Sequence, residues 1–309
     1  MSSKGVLKVS NLTKIYGHEI KIGRLKIGRI VIGAQNVSFT VNEGEIFGFL
    51  GPNGAGKTTT IRSILGYLKV QTGKILINGL DHRKDSIEIR KDIGYVPGDL
   101  SLYEDFTGEE FIKYVDKFRP VDKHLLRELK SIFKVDLNQK LDSLSTGNRK
   151  QVALILALAS NPSFLILDEP TTGLDPLMTA KFHKILRKLK EEGKTIFLSS
   201  HDLSEVQNLC DRVGIIKEGR MLLVEDINDL KQKFLQNVKI KFSSKSVPTE
   251  DDLNNLDSII SREQLNETTF KLIIKEDVNE LIKWLTNYRI KRLTIEDASL
   301  EDIFLQFYE

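Results

Sequence analysis

The sequence predicts an α/β protein with a mainly parallel core sheet, an antiparallel β layer at its edge and a helical insert at about residues 100–160. Short apolar runs, each suited to a buried strand, occur at Ile46–Leu50, Ile93–Val96, 164–167 and 195–199, and amphipathic helical segments lie between them. Such alternation is typical of βαβ units and a parallel sheet. Residues 6–16 and 37–41 have strand character before the first helical segment, which favours a separate β layer.

The elements follow one another in a consistent order. The turn Asn42-Glu43-Gly44 ends the second strand, and a helix is expected from Gly56 to about Leu68, directly after the first core strand. Residues 108–140 have helical patterns alone, and the apolar run 152–159 suits a buried helix.

Length and composition indicate a globular protein with two domains. The chain has 309 residues, 40% of them hydrophobic and 29% charged, with a net charge of +3. So small a net charge argues neither for nor against a nucleic-acid partner. No nucleic-acid partner is expected. No run reaches the roughly 18 apolar residues of a membrane span, and the first residues lack the apolar core of a secretion signal. Cys210 is the only cysteine, which excludes an internal disulfide, and we expect it in a helix.

A change of pattern near Glu225 predicts the domain boundary, with residues 1–224 in the first domain and 225–309 in the second. A polar helix at about 225–237 leads into expected strands at 238–242, 270–274 and 290–295 and expected helices at 278–288 and 300–307. This small α+β domain has no cluster of His, Cys or carboxylates with metal or nucleophile spacing, so we expect no chemistry there.

A glycine-rich segment between a strand and a helix predicts a phosphate-binding loop. Glycines let the backbone N–H groups converge on phosphates, and the helix N-terminus adds a favourable dipole. Lys57 is expected on the β- and γ-phosphates, and the Thr58 hydroxyl on Mg²⁺. The alternative is a glycine turn with an incidental lysine. The nucleotide-binding residues of the segment are Gly51, Pro52, Asn53, Gly54, Ala55, Gly56, Lys57, Thr58 and Thr59.

Two adjacent acids, Asp168 and Glu169, end the apolar strand that begins at Phe164. Carboxylates beside a buried strand are costly unless a cation is held there. Asp168 is therefore expected to bind Mg²⁺ through water, and Glu169 to polarise the attacking water as general base. A pair of capping or turn acids is the competing interpretation.

The order and spacing of further motifs resemble the ATP-binding cassette (ABC) family over roughly residues 6–225. These motifs are LSTGNRKQ at 144–151, DEP at 168–170, GLDP at 173–176 and His201 after another strand. The resemblance implies ATP and Mg²⁺ as ligands and a site completed across a dimer, with Ser145 and Gly147 contacting the γ-phosphate bound by the other subunit. It further implies that Asp175 bridges the subunits.

Two more residues receive roles from the resemblance. His201 is implied to hold the γ-phosphate and to orient Glu169 and the water, and it is counted with Lys57 and Glu169 among the catalytic residues. Tyr16 resembles the aromatic residue that stacks on adenine, although a packing role at the strand end is an alternative.

Two departures from the family pattern limit what the resemblance implies. The family has glutamine at the end of the strand Ile93–Val96, whereas here Pro97 is followed by Gly98 and Asp99. We expect Asp99 to face the helical insert or a permease rather than the metal. The stretch 21–33 is also longer than usual, and a long hairpin with its tight turn at Gly28-Arg29 is expected there.

The resemblance implies the ATPase subunit of an ABC transporter that drives a separate membrane permease from the cytoplasmic face of the membrane. The C-terminal residues 297–309 resemble the tail of drug- and antibiotic-exporter ATPases, which favours export. The subunit is expected to act as a homodimer or with a second ATPase subunit. A soluble ABC ATPase acting on a macromolecular complex is the alternative, and a nucleotide-gated regulator is disfavoured because Glu169 and His201 are both present.

Overall fold

A computed structural model describes residues 5–17, 20–22, 25–27, 30–100, 105–233, 236–244, 246–249, 252, 256, 258–274 and 278–297. The chain divides into two compact units, Met1–Val224 and Glu225–Glu309. Among the described residues, no helix is long and apolar enough to cross a membrane. The expected helix at 300–307 lies outside the described residues.

The first unit begins with an antiparallel sheet in the strand order β4-β1-β6-β7. Its strands are β1 (Gly5–Tyr16), β4 (Val31–Asn42), β6 (Thr72–Ile77) and β7 (Leu80–Asp81). Its inward face places Phe39 against Phe47, Phe49 and Phe197 of the core sheet, with ring centroids 5.3–5.6 Å apart. This buried aromatic cluster joins the two β layers.

The core sheet has six strands in the order β12-β11-β5-β10-β9-β8, and the pairings from β11 to β8 are parallel. The predicted fold class is confirmed. Because the carboxyl ends of parallel strands meet at one edge, the residues that follow β5, β9 and β10 come together there. The strands are β5 (Ile46–Leu50), β8 (Ile93–Val96), β9 (Phe164–Asp168), β10 (Thr195–Ser200), β11 (Arg212–Lys217) and β12 (Arg220–Asp226).

Several helices of the first unit begin at residues whose side chains cap the helix. Thr107 forms a capping box with Glu110 at α3, while the side chains of Asp122, Asp175 and Asp202 accept backbone N–H groups at the starts of α4, α6 and α7. The helices are α1 (Lys57–Ile64), α2 (Ser86–Arg90), α3 (Gly108–Asp116), α4 (Lys123–Ile132), α5 (Thr146–Leu158), α6 (Pro176–Glu191) and α7 (Leu203–Leu209), with a 3-10 turn at Leu141–Ser143.

The second unit has an antiparallel sheet in the order β14-β15-β13-β16. One face packs with α9 on a core that includes Val238, Phe242, Leu272 and Leu281. The strand β14 was missed by sequence analysis because its polar residues are exposed along most of their length. The elements are α8 (Ile227–Lys233), β13 (Gln236–Phe242), β14 (Ile259–Asn266), β15 (Thr269–Ile274), α9 (Val278–Leu285) and β16 (Ile290–Asp297).

The long connection between β1 and β4 is a hairpin, as expected, but its turn is not where the glycine pattern placed it. The strands β2 (Ile20–Ile22) and β3 (Leu25–Ile27) pair antiparallel, with Ile22 opposite Leu25. This register reverses the chain between those two residues, so the turn prediction at Gly28-Arg29, which lie outside the described residues, was wrong. The sequence has one Gly-Arg pair at residues 23–24 and another at residues 28–29, and only the strand register distinguishes them.

The position of Cys210 also differs from the expectation. It follows the last residue of α7 in extended conformation, and its side chain is buried. Burial raises the pKa of the Cys210 thiol well above its usual value. The residue is therefore an unreactive packing group next to the helix rather than within it.

Candidate functional site

The glycine-rich loop leaves β5 and curls before α1, and backbone conformation explains its sequence. Gly56 is the N-cap of α1 with φ 105°, a left-handed conformation that favours glycine. A Cβ at this position would also collide with the Gly33 carbonyl oxygen. The loop therefore approaches the β1–β4 layer closely while its amide groups surround the start of α1.

A cavity of about 240 Å³ opens at this loop. It brings together most of the nucleotide-binding residues expected from the sequence, and two members of the loop, Gly51 and Ala55, are buried behind it. Its lining also includes the start of β4, which sequence analysis did not identify. The lining residues are Tyr16, residues 31–33, Pro52, Asn53, Gly54, residues 56–59 and Glu169.

Tyr16 lies at the mouth of this cavity. Its hydroxyl is 3.3 Å from the Thr59 hydroxyl, and the Lys14 ammonium lies 4.9 Å from its ring centroid. The ring is 37% exposed, so an aromatic surface is accessible beside the loop. This placement suits stacking on a planar base.

Lys57, Glu169 and His201 form a chain of contacts at the carboxyl edge of the sheet. Lys57 Nζ donates to the carbonyl oxygens of Gly51 and Pro52 at 2.6 and 3.1 Å and lies 3.0 Å from Glu169 Oε1. His201 Nδ1 is 2.7 Å from Glu169 Oε2. The Glu169 carboxylate is thus held between a buried ammonium and an exposed imidazole.

The backbone of Glu169 is strained. Its φ is 48°, a left-handed conformation that is uncommon for a residue other than glycine. The Ser199 hydroxyl accepts from Glu169 N at 3.1 Å, and this contact supports the conformation. Strained backbone conformations of this kind are common at functional sites, where a side chain must be held in one direction.

Asp168 is fully buried at the end of β9, and its two oxygens differ. Oδ1 accepts from the Ser199 hydroxyl at 2.6 Å, whereas Oδ2 is buried with no hydrogen-bond partner among the described residues. A buried carboxylate oxygen without a protein partner fits a hard cation such as Mg²⁺. The described residues contain no group of three His, Cys, Asp or Glu side chains that could hold a metal.

The segment that replaces the family's glutamine runs beside Asp168. A Cβ built on Gly98 would lie 3.3 Å from Asp168 Oδ2, so the backbone itself covers the carboxylate. Asp99 does not turn inward, because its side chain is 91% exposed and lies 3.4 Å from Arg62. Tyr95 on β8 is half-buried nearby, and desolvation, followed by the Asp168 charge, raises the pKa of its hydroxyl to about 12.

A lysine missed by sequence analysis reaches the same loop from α5. Lys150 is 2% exposed, and its Nζ donates to the Pro97 carbonyl oxygen at 3.2 Å. Burial lowers the pKa of Lys150 to about 8, against the opposing charges of Asp168, Glu169 and Asp99. A charged residue next to the apolar run of a buried helix was the signal available in the sequence.

Ser145, Gly147 and Asp175 do not line the cavity at the glycine-rich loop. Ser145 is the exposed N-cap of α5, and Asp175 is the N-cap of α6, where its side chain accepts from Met178 N at 2.8 Å. Gly147 packs on the 168–175 segment, since a Cβ there would lie 2.5 Å from the Gly173 carbonyl oxygen.

His201 does not line that cavity. It lines a second cavity of about 570 Å³ together with Thr172, Leu174 and residues of α6 and α7. His201 thus lies between the Glu169 carboxylate, which it contacts, and the GLDP loop.

Comparisons with known proteins agree with this geometry. A family model described as ABC transporter matches residues 34–172. The chain is 34% identical to an uncharacterized ABC transporter ATP-binding protein of Methanocaldococcus jannaschii, over 98% of this chain and 99% of that protein. It is 32% identical to the bacitracin transport ATP-binding protein of Bacillus licheniformis, over 97% and 96% of the two chains.

A solved structure is similar in fold. It is a dimeric ATP-binding cassette in a post-hydrolysis state with ADP and Pi, 28% identical, with a TM-score of 0.61. The similarity covers 72% of this chain and 98% of that one.

Proposed function

The chain belongs to the family of ABC transporter ATP-binding proteins and is an ATPase, and from this premise we propose how its own residues bind and hydrolyse ATP. The observation that carries the proposal is the chain of contacts from Lys57 through Glu169 to His201 at the mouth of the glycine-rich loop. It joins a phosphate-binding cation, a base and an orienting imidazole within hydrogen-bonding reach of one another.

The nucleotide would be held from both ends. Tyr16 stacks on the adenine, and the backbone N–H groups of residues 53–59 surround the phosphates. Lys57 leaves the Glu169 carboxylate and binds phosphate oxygens instead. Thr58 and Asp168 would hold Mg²⁺, which neutralises charge on the phosphates when bound. The unpartnered Asp168 Oδ2 supports this assignment.

Bond cleavage is assigned to other groups. Glu169, aimed by its strained backbone, accepts a proton from the attacking water, and His201 keeps the Glu169 carboxylate oriented. Ser145 and Gly147 would complete the site of a second ATPase subunit, with Asp175 at the contact between subunits. Their separation from the cavity of their own chain supports this role.

The test compares two substitutions. Lys57→Ala should nearly abolish ATP binding, whereas Glu169→Gln should retain ATP, accumulate a closed dimer and lose hydrolysis by about 10²–10⁴-fold, the usual contribution of a general base. ATP binding is measured by titration, the dimer by light scattering and hydrolysis by phosphate release. Glu191→Gln on the exposed end of α6 is the matched control. Unchanged hydrolysis in Glu169→Gln would refute the general-base assignment.

We further propose that the chain drives a separately encoded membrane permease as an exporter, from the cytoplasmic face of the membrane. The similarity to a bacitracin transport protein extends over 97% of this chain and so includes the second unit. Purification of the native complex with a polytopic membrane protein, and stimulation of ATPase activity by that protein, would be the expected result. Association with a ribosome or another macromolecular complex instead would favour the alternative function.

Residues 225–309 are proposed to act as an accessory domain that serves partner pairing or dimer contact. Every nucleotide motif precedes this segment, and it has its own hydrophobic core. A chain ending near Glu225 should therefore fold and bind ATP while pairing less well with its partner. Loss of ATP binding in a folded truncated chain would place the boundary elsewhere.

A further inference from the structure

Lys150 is placed where an ammonium group does not stabilise the fold. Its side chain is 2% exposed, it makes one hydrogen bond to Pro97 O, and no carboxylate oxygen of the described residues lies within 4.0 Å of its Nζ. Removing an ammonium from water is costly unless it is paired, and this lysine is not. Its charge therefore calls for an explanation other than packing.

Lys150 contacts a loop that borders the carboxyl edge of the core sheet. The acidic groups whose charges raise the pKa of Lys150, against the larger effect of burial, are Asp168, Glu169 and Asp99, in decreasing order. Its acceptor, Pro97, precedes Gly98, whose backbone lies against Asp168 Oδ2. The Pro97–Gly98 loop thus connects Lys150 on α5 to Asp168, while Lys57 contacts Glu169 directly at 3.0 Å.

The position of Lys150 on α5 adds a mechanical connection. It is three residues after Gly147, whose Cα lies against the Gly173 carbonyl of the segment that follows Glu169. The first turns of α5 therefore touch both loops that border the carboxylates. A shift of this helix would move the ammonium relative to Asp168 and Glu169.

We propose that Lys150 is a positioning residue for ATP hydrolysis, whose buried ammonium ties the start of α5 to the Pro97–Gly98 loop and sets the electric field at Asp168 and Glu169. The inference rests on the proposed roles of those two carboxylates. It links the segment assigned to one nucleotide site, Ser145–Gly147, with the base of the other. A fixed charge at the carboxylates acts on bond cleavage more than on ATP binding.

The test uses two substitutions of Lys150 and one control. Lys150→Met keeps the length of the side chain and removes its charge and donor, whereas Lys150→Gln keeps a donor without the charge. Lys184→Met on the exposed face of α6 is the matched control. The full chain is assayed for kcat, KM for ATP and Tm, with Glu169→Gln measured in parallel.

Both Lys150 variants are expected to lose kcat by at least about tenfold while KM changes by less than about threefold. Their Tm should equal or exceed that of the parent, because a buried charge has been removed. Parental kcat in either variant would overturn the proposal, and so would a loss of kcat that accompanies a fall in Tm, which indicates a packing role. Parental activity of Glu169→Gln would instead refute the proposed general base.

Discussion

Substituting Lys150 by methionine should make the first unit more stable at neutral pH, by an amount that the pKa of Lys150 predicts. Burial lowers this pKa from its ordinary 10.5 to about 8. A difference of ~2.5 pH units corresponds to roughly 3 kcal/mol, which is an upper estimate of the cost of the charged lysine at pH 7. Methionine carries no such cost and fills the same buried space.

The sign follows from proton linkage. Between the pKa values of the folded and unfolded states the unfolded chain binds more protons, so the parent gains stability as the pH rises from about 8 towards 10.5. Methionine does not titrate, so the stability of the variant does not gain in this way. The difference in unfolding free energy between variant and parent should therefore shrink as the pH rises. Between pH 7 and 9.5 the difference in unfolding free energy should fall by about 2 kcal/mol.

The assay is urea unfolding of parent and variant at pH 7, 8.5 and 9.5. Circular dichroism follows the whole chain, and the fluorescence of Trp284, the only tryptophan, follows the second unit as an internal control. A variant less stable than the parent at pH 7, or a stability difference that does not change with pH, would refute the reasoning. Movement of the Trp284 transition would show that the effect is not confined to the first unit.

Substitutions at three further positions test the site. Gly147→Ala places a Cβ 2.5 Å from the Gly173 carbonyl, so ATPase activity should fall at least about tenfold with ATP titrations nearly unchanged; parental activity would contradict this. Tyr16→Ala should weaken ATP binding by about 1–3 kcal/mol, the range for base stacking, and Tyr16→Phe should largely preserve it; parental affinity in Tyr16→Ala would exclude stacking. Asp99→Ala should leave basal phosphate release within a few-fold, because Asp99 is exposed beside Arg62, and a hundredfold loss would make Asp99 catalytic.

The local motifs could be predicted because neighbouring residues produce them. A strand, a glycine-rich turn and a helix start are adjacent in the chain, so the spacing of residues 51–59 is sufficient to predict a phosphate-binding loop. Likewise, Asp168 and Glu169 are placed by the strand that precedes them. Parallel strands bring such ends to one edge, which is why the contact between Glu169 and His201 agrees with the expectation.

Several features that sequence analysis missed depend on residues far apart in the chain. The strands β6, β11 and β12 were not predicted, since they are recognised only by their pairing in the two sheets. The hairpin turn was misplaced because two Gly-Arg pairs compete and register decides between them. Ser199 was overlooked because a serine at a strand end has no distinctive spacing, although its hydroxyl contacts both Asp168 and Glu169.

By itself the sequence determined the fold class, the nucleotide motifs and the order in which they occur, because each depends on local periodicity and on residues near one another in the chain. Only the tertiary structure decided which charges share one environment. Lys150 and Asp168 are separated by a helix end and a strand, and no spacing rule connects them. Both are buried on either side of Pro97 and Gly98, where packing excludes the water that would screen their charges.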